Sequence, residues 1–402
     1  MLKNIAGNSI VALAVAMSLN TAGVNVAQAT GFNEAMTGGT FKGSLRPRVE
    51  FVDQENVSDN AQATTVRGAF QYTTGAWNDL QLKAELEAVM GIGSEKYNST
   101  TNSKNQYPKV ADPTGGHFNR LFLFHKGEGY TVGYGRDEII YDNWRWVGNV
   151  GWRQNHQTFN SAKIDGKAGA ASYHAAYITK RYKITQYSEG EDLKSSFLLN
   201  GGYDLSFGKL SAYYYGYEFD DGSNTSYQLY GATLAGAPGN FIYRAELAEQ
   251  KQDNTGTDYT GSYYHFIGGM KVSDMKFMVG YELLGSDNGN YAVTSHFGTN
   301  HKFNGFADQF LATPAAGLTD SYATAVVPVA GMKFVATYHM FKPDDTSTFN
   351  DYGTEIDLVL ARKMSKQVSL LAKLADYSGE KVTGNPKSTD VTKFIMQAMY
   401  KF

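Results

Sequence analysis

The sequence predicts an all-β protein: a transmembrane antiparallel β-barrel of 18 strands, with 16 as the fallback count, and with loops that fold inward. The chain contains 28 Tyr, 23 Phe and 43 Gly but only 8 Pro, and its apolar residues are dispersed among polar ones. Such a composition suits a barrel, because only every second residue of a strand meets lipid. Two further observations point the same way: a two-residue alternation of side chains, and a final strand that ends in Phe402.

The alternation is clearest near the N-terminus. Between residues 41 and 51 the odd positions include Leu45, Val49 and Phe51, whereas the even positions carry four charges. Residues 80–90 repeat this pattern. Side chains of a strand point to opposite faces with a period of two, so one face is apolar and the other polar. A half-exposed soluble sheet also alternates. The chain has many such strands and scarcely any helical pattern that could cover their apolar faces. Lipid is therefore the simplest cover for those faces.

The predicted strands occupy 40–52, 63–74, 79–91, 117–127, 129–136, 168–180, 181–188, 194–206, 208–219, 225–236, 239–250, 259–272, 275–284, 318–328, 331–341, 351–364, 366–377 and 390–402. The weakest pattern is that of 181–188. Glycine and proline at 206–208 and 237–239 predict tight turns. A closed barrel of this size leaves an aqueous lumen unless loops fill it.

Both ends of the chain predict export to the outer membrane of a Gram-negative bacterium. Residues 1–29 resemble a signal peptide, with Lys3, an apolar core over 10–19 and the small-x-small site Ala27-Gln28-Ala29. Residues 30–402 then form the barrel. At the other end, Phe402 closes an alternating strand that resembles the signal read by the barrel-insertion machinery. The expected partners are that machinery, outer-membrane lipid and lipopolysaccharide.

Two long inserts interrupt the strand rhythm and are predicted to fold into the lumen. The first, from Gly135 to about Asp165, contains three of the four tryptophans. Flat rings next to fork-shaped donors suit sugars and carboxylates, although loop anchoring or an interfacial girdle would also explain the tryptophans. The second insert extends from Leu284 to Leu318 and mixes aromatic, amide and acidic residues. Residues predicted to line the path from these inserts are Trp144, Arg145, Trp152, Arg153, Asn155, Lys302 and Asp308.

Charged side chains of both signs are expected to face the lumen. The arginines predicted to line it from the strands are Arg48, Arg67, Arg120 and Arg136. Arginine is concentrated in the first 160 residues, which predicts a basic constriction that attracts anions. The alternative is that these charges pair with acids on neighbouring strands. We expect both, and an anion preference that weakens in Arg136→Ala or Arg153→Ala variants.

The inserts also carry the stretches Val147-Gly-Asn-Val-Gly-Trp-Arg-Gln154, Leu284-Gly-Ser-Asp-Asn288 and His301-Lys-Phe-Asn-Gly-Phe-Ala-Asp308. With these stretches the chain resembles the alginate-export family of outer-membrane proteins. The resemblance implies an 18-stranded barrel whose electropositive lumen is partly closed by inward loops and passes a polyuronate. It further implies that Arg67, Arg136, Arg145 and Arg153 line that path.

The predicted function is a porin-type channel for anionic or sugar-like solutes, and the alternative is a dedicated exporter of an anionic polysaccharide such as alginate. A nucleic-acid partner is not expected, since the net charge is −3. An enzyme is not expected either, because the eight histidines are scattered and no nucleophile motif accompanies them. We expect no cofactor and no metal.

Overall fold

A computed structural model describes residues 31–254 and 256–402, so the predicted signal peptide lies outside the described residues. One short helix, α1 (Phe32–Thr37), precedes the strands. The strands are β1 (Thr40–Gln54), β2 (Ala61–Thr73), β3 (Leu80–Gly91), β4 (Gly115–Gly127), β5 (Tyr130–Asp137), β6 (Thr158–Ala168), β7 (Ala171–Tyr182), β8 (Glu191–Leu205), β9 (Gly208–Glu218), β10 (Thr225–Gly236), β11 (Phe241–Asn254), β12 (Thr257–Val272), β13 (Met275–Leu284), β14 (Ser286–Asp287), β15 (Tyr291–Ala292), β16 (Leu318–Val329), β17 (Met332–Lys342), β18 (Gly353–Lys363), β19 (Val368–Gly379) and β20 (Val391–Lys401). A 3-10 turn covers Asn300–Lys302. None of the helices in these described ranges is long and apolar enough to cross a membrane.

Eighteen strands form one closed antiparallel barrel, as predicted. Each barrel strand pairs with the next along the chain, and β1 pairs with both β2 and β20, which closes the sheet. The two-residue strands β14 and β15 form a separate hairpin inside the second insert. Closure satisfies the backbone of every edge, which is the condition for a sheet to span hydrocarbon.

Side chains alternate across the barrel wall as the sequence indicates. In β1, Arg46, Arg48 and Glu50 are buried inside, whereas Leu45 and Phe51 are exposed outside. Large apolar side chains are similarly exposed on the outer face along the other strands. In water this surface would be unstable, but hydrocarbon covers it in a membrane.

Seventeen of the predicted strands overlap observed ones, but the prediction of 181–188 is wrong, because residues 183–190 form a loop. The strand that the prediction lacks is β6, which lies within the end of the predicted first insert. On its outward face Ile164 is flanked by Ala162, Gly166 and Ala168, and one large apolar residue among small ones gives no clear alternating signal. A register shift between Asn160 and Ser161 disrupts the alternation further. The total of 18 is therefore right although one strand was misplaced.

The two ends of the barrel differ in the length of their connections. Short turns, including 128–129, 206–207 and 330–331, lie at the end that also holds both termini. Longer connections, including 92–114, 138–157 and 285–317, lie at the opposite end. Short turns face the periplasm in barrels of this type and longer loops face outward. Three long outer loops therefore have the reach to fold back into the lumen.

Candidate functional site

Two of these loops meet inside the barrel and form one unit. We call residues 138–157 loop A, residues 285–317 loop B, and the two together the plug. Val147 and Phe297 pair as a short parallel bridge, and the Gly148 amide donates to the Phe297 carbonyl at 2.8 Å. The Thr299 amide in turn donates to the Trp144 carbonyl at 2.9 Å. Backbone bonds between segments so distant in sequence make the plug a defined structure.

An apolar cluster fixes the plug to one side of the wall. Phe297 is buried, and its ring centroid lies 4.6 Å from that of Tyr217 and 5.5 Å from that of Phe159. Trp146 packs edge-on against Tyr263 at 4.6 Å and donates its indole N–H to Glu246 at 2.8 Å. Aromatic pairs of this geometry add to the free energy of apolar burial. The plug therefore fills the lumen beside β6, β9 and β12.

Two buried arginines of loop A hold the plug to the wall by charge. Arg145, 2% exposed, lies 2.8 Å from a carboxylate oxygen of Glu282. Arg153, 5% exposed, contacts Glu50 at 2.9 Å and Asp308 at 3.0 Å. Burial alone would lower the pKa of Arg153, but the neighbouring carboxylates outweigh burial and raise it. Both arginines are thus firmly charged anchors, and their guanidinium groups are engaged with protein carboxylates.

His301 links loop B to loop A and to the wall. Its Nδ1 lies 2.6 Å from Asp308 Oδ1, and its Nε2 lies 3.1 Å from Lys373 Nζ. The ring stacks on Trp152 at 4.4 Å with an interplanar angle of 3°. Burial lowers the pKa of His301 well below its usual value despite the nearby Asp308, and Lys373 adds to the effect. Neutral His301 therefore accepts from Lys373 and donates to Asp308.

A cavity of about 640 Å³ remains between the plug and the wall formed by β1–β4, β19 and β20. Its charged walls are almost entirely basic. The basic residues that line it are Lys42, Arg46, Arg67, Arg120, Lys302, Lys373 and Lys401, and Glu85 is the one carboxylate among the described lining residues. Low-dielectric walls of one sign concentrate counter-ions in the space between them. The cavity is therefore suited to an anionic solute.

The basic residues differ in how available they are. Arg67 pairs with Glu87, and Arg120 pairs with Glu138 at 2.5 Å. By contrast, Lys42, Lys302 and Lys401 are exposed, and none of them forms an ion pair with a described carboxylate. These three lysines present the cavity's available positive charge.

Trp144 supplies a flat apolar surface in the same cavity. It is 39% exposed and lines the space directly. Lys302 Nζ lies 4.4 Å from the ring centroid, so a cation and an indole form one wall together. The backbone of Trp144 is left-handed, with φ of 72°, a conformation that non-glycine residues adopt at an energetic cost and often at functional positions.

Two smaller cavities adjoin the central one. The first, of about 370 Å³, shares Lys302 and Phe306 with it and is lined by Glu282, Asp320 and Asp357. The second, of about 360 Å³, shares Arg120 and Ile140 with it. Lys302 therefore stands between a basic and an acidic part of the lumen.

The structure divides the residues predicted to line the path into three groups. Arg67, Arg120, Trp144, Trp152 and Lys302 line the central cavity. Buried and bonded to protein, outside the lining of that cavity, are Arg48, Arg145, Arg153, Asn155 and Asp308. Arg136 also lies outside the lining: it donates to Thr158 Oγ1 at 2.8 Å and stacks on Tyr182.

Three lining lysines are not among the residues predicted from the sequence: Lys42, Lys373 and Lys401. Lys42 and Lys401 each lie on the polar face of an alternating strand that the sequence identified. The alternation therefore indicated that both lysines face the lumen, but the prediction favoured the arginines of the inserts over lysines near the short turns. Lys373 required the fold, because its place beneath Trp152 and Phe306 depends on both loops.

Comparison with known proteins finds similarity in structure only. No family model matches the chain, and no curated protein matches it. Among solved structures, Acinetobacter baumannii OccAB2 is 13% identical, with a TM-score of 0.69 over 92% of this chain and 99% of that chain. Pseudomonas aeruginosa OccK9 (OpdG) is 12% identical, with a TM-score of 0.68 over 92% and 99%. P. aeruginosa OpdK is 10% identical, with a TM-score of 0.68 over 90% and 98%.

At these identities the likeness is one of fold, and it confirms the predicted 18-stranded antiparallel β-barrel. Together with the apolar outer face, that fold places the chain in the outer membrane of a Gram-negative bacterium. The resemblance to the alginate-export family stays a prediction.

Proposed function

We propose that the chain is a passive porin-type channel for small organic anions, and that carboxylates carrying a ring are its preferred solutes. The observation that supports this most directly is the sign of the central cavity, where Glu85 is the one carboxylate among the described lining residues and basic side chains outnumber it. No chemistry on the solute is required by this proposal.

The proposed binding mode uses two kinds of contact. The carboxylate of the solute lies near the exposed ammonium groups of Lys42, Lys302 and Lys401, while its ring stacks on Trp144. One solved structure of similar fold, that of OpdK, was determined with vanillate, an aromatic carboxylate. The carboxylate and the ring of vanillate match the basic lining and the exposed Trp144 indole of this cavity.

The contribution of one lysine can be bounded. Two unit charges 4 Å apart interact with about 1 kcal/mol in bulk water and about 4 kcal/mol near a protein surface. A wet lumen falls toward the lower end of that range, so removal of one cation costs roughly 1 to 2 kcal/mol. This corresponds to roughly 5- to 30-fold weaker binding of a monovalent anion.

The test is reconstitution of the purified barrel in planar bilayers. We expect anion selectivity from the reversal potential in a KCl gradient, and current block by benzoate that exceeds block by the neutral benzamide. Lys302→Gln should weaken the benzoate block and leave the benzamide block unchanged. Lys381→Gln is the matched control, since Lys381 lies in the outer connection 380–390 and pairs with Glu55 there. Cation selectivity in the wild-type channel would overturn the proposal.

Export of an anionic polysaccharide is the second candidate, because the same basic wall fits the carboxylates of uronates. The two functions differ in the solute length that passes. A solute channel should let monomeric uronate cross a vesicle membrane while long oligouronates block the current without crossing. Transfer of the long oligomers at a rate comparable to the monomer would favour export.

A further inference from the structure

An apolar patch lies outside the lumen, at the periplasmic end of the barrel. It is formed by α1 and by the turn 74–79 that joins β2 to β3. Phe32 is 56% exposed, Met36 42% and Trp77 41%. The rings of Phe32 and Trp77 meet edge to face with centroids 5.5 Å apart. Adjacent large apolar side chains on a surface mark an interaction site.

The patch is held in place by the backbone. The Gly75 amide donates to the Ala35 carbonyl at 2.8 Å, and the Tyr72 hydroxyl donates to the Met36 carbonyl at 2.7 Å. A side chain at Gly75 would approach the Cα of Ala35 to 3.3 Å, so glycine permits this close contact. The apolar side chains are therefore displayed by a bonded support.

Tyr72 shows on which side of the wall the patch lies. It shares the outward face of β2 with Phe70, because Arg67 and Ala69 occupy the buried, inward face. Phe70 belongs to an outer aromatic group in which its ring lies 6.2 Å from Phe402. Aromatic girdles of this kind mark the boundary between hydrocarbon and headgroups. The patch continues that girdle toward the periplasm.

We propose that α1 and Trp77 form an interfacial anchor that inserts into the headgroup region of the inner, phospholipid leaflet. Continuity with the lipid-facing girdle identifies this occupant, and tryptophan favours the membrane interface. The anchor fixes the chain just ahead of β1, at the seam where β1 pairs with both β2 and β20. This inference is independent of the solute that the lumen carries.

Tryptophan fluorescence in phospholipid vesicles tests the proposal directly. Trp144, Trp146 and Trp152 belong to the plug, so a quencher carried by lipid reaches Trp77 selectively. We compare the wild-type protein with Trp77→Phe in vesicles of phosphatidylcholine brominated near the carbonyls or near the chain ends. The difference between the two proteins gives the emission of Trp77. That emission should fall about twofold with the shallow bromines and less with the deep ones, as expected for an interfacial indole.

A second variant separates the helix from the turn. Phe32→Ser combined with Met36→Ser leaves Trp77 and the strands intact, and it should reduce the shallow quenching and shift the emission of Trp77 to the red. Two results would overturn the anchor. The first is that brominated lipid leaves the emission of Trp77 unchanged while aqueous iodide quenches it. That result would indicate that the patch faces water and binds a periplasmic protein. The second is that lipid bromines quench Trp77 equally in the wild-type protein and in the double variant. That result would show that α1 does not insert into the membrane interface.

Discussion

Replacement of Arg153 by methionine should release the plug without unfolding the barrel. The substitution keeps much of the side-chain volume but removes the charge that lies 2.9 Å from Glu50 and 3.0 Å from Asp308. Removal of one member of a buried ion pair costs about 3 to 5 kcal/mol, because the partner is left uncompensated. The equilibrium between docked and released plug should therefore shift by roughly two to four orders of magnitude.

The assay is single-channel recording under constant voltage. Release of the plug widens the lumen, so Arg153→Met should show a larger mean conductance and frequent transitions between levels. Addition of Glu50→Gln should restore quieter current, because Glu50 is the carboxylate that loses its partner, whereas Asp308 still contacts Lys393 at 2.8 Å and His301 at 2.6 Å. Arg362→Met, at the exposed end of β18, is the control for loss of a positive charge. Conductance and noise identical to the wild type in Arg153→Met would refute the anchoring role.

Two further predictions concern loop B. Burial, reinforced by Arg181, lowers the pKa of His296 to about 3. The docked plug therefore binds fewer protons than the released plug. As the pH falls from 6.5 toward 3, the free energy of docking weakens by about 1.4 kcal/mol per pH unit. Channel noise should rise between pH 6.5 and pH 4.5, and His296→Gln should reduce the rise; equal pH dependence in both proteins would exclude His296. In Gly305→Ala, at a φ of 85°, the new Cβ would overlap the carboxylate of Glu355, so this carboxylate must move. Because it accepts a hydrogen bond from the Ala307 amide of loop B, the conductance should change. Gly331→Ala is the control: its φ is similar, 74°, but the added Cβ meets no neighbouring atom, so the conductance should stay unchanged. Equal effects of the two substitutions would show that backbone strain, and not the contact with Glu355, is responsible.

The barrel could be predicted from the sequence because its physics is local. Each strand must present apolar side chains to lipid at every second position, and this period survives in the sequence without knowledge of the partners. The exception, β6, has mostly small outward residues and a register shift, so the local signal was weak there. The neighbouring segment 181–188 alternates by composition, but residues 183–190 form a loop.

The site was harder to predict because its decisive contacts are not local. Arg153 and Arg145 resembled pore-lining residues, since arginine beside tryptophan in an insert suits anion binding. Whether such an arginine faces solute or protein depends on which carboxylates the barrel places opposite it. Glu50 lies 103 positions from Arg153 along the chain, so no local pattern records this pairing. The resemblance that implied lining roles for Arg136, Arg145 and Arg153 is therefore not matched by their positions around the central cavity.

The division between buried arginines and exposed lysines indicates how selectivity arises in this lumen. A guanidinium group forms several directed bonds and remains charged when buried, so arginine suits a fixed connection between loop and wall. An ammonium group on a flexible stem keeps its hydration and releases a partner easily, so lysine suits a solute that must enter and leave. Arg145 and Arg153 hold the plug, whereas Lys42 and Lys302 remain exposed in the cavity that the plug defines. Exchange of Lys302 for arginine should consequently retain anion selectivity but slow the release of benzoate, which is measured as longer blocked intervals in single-channel records.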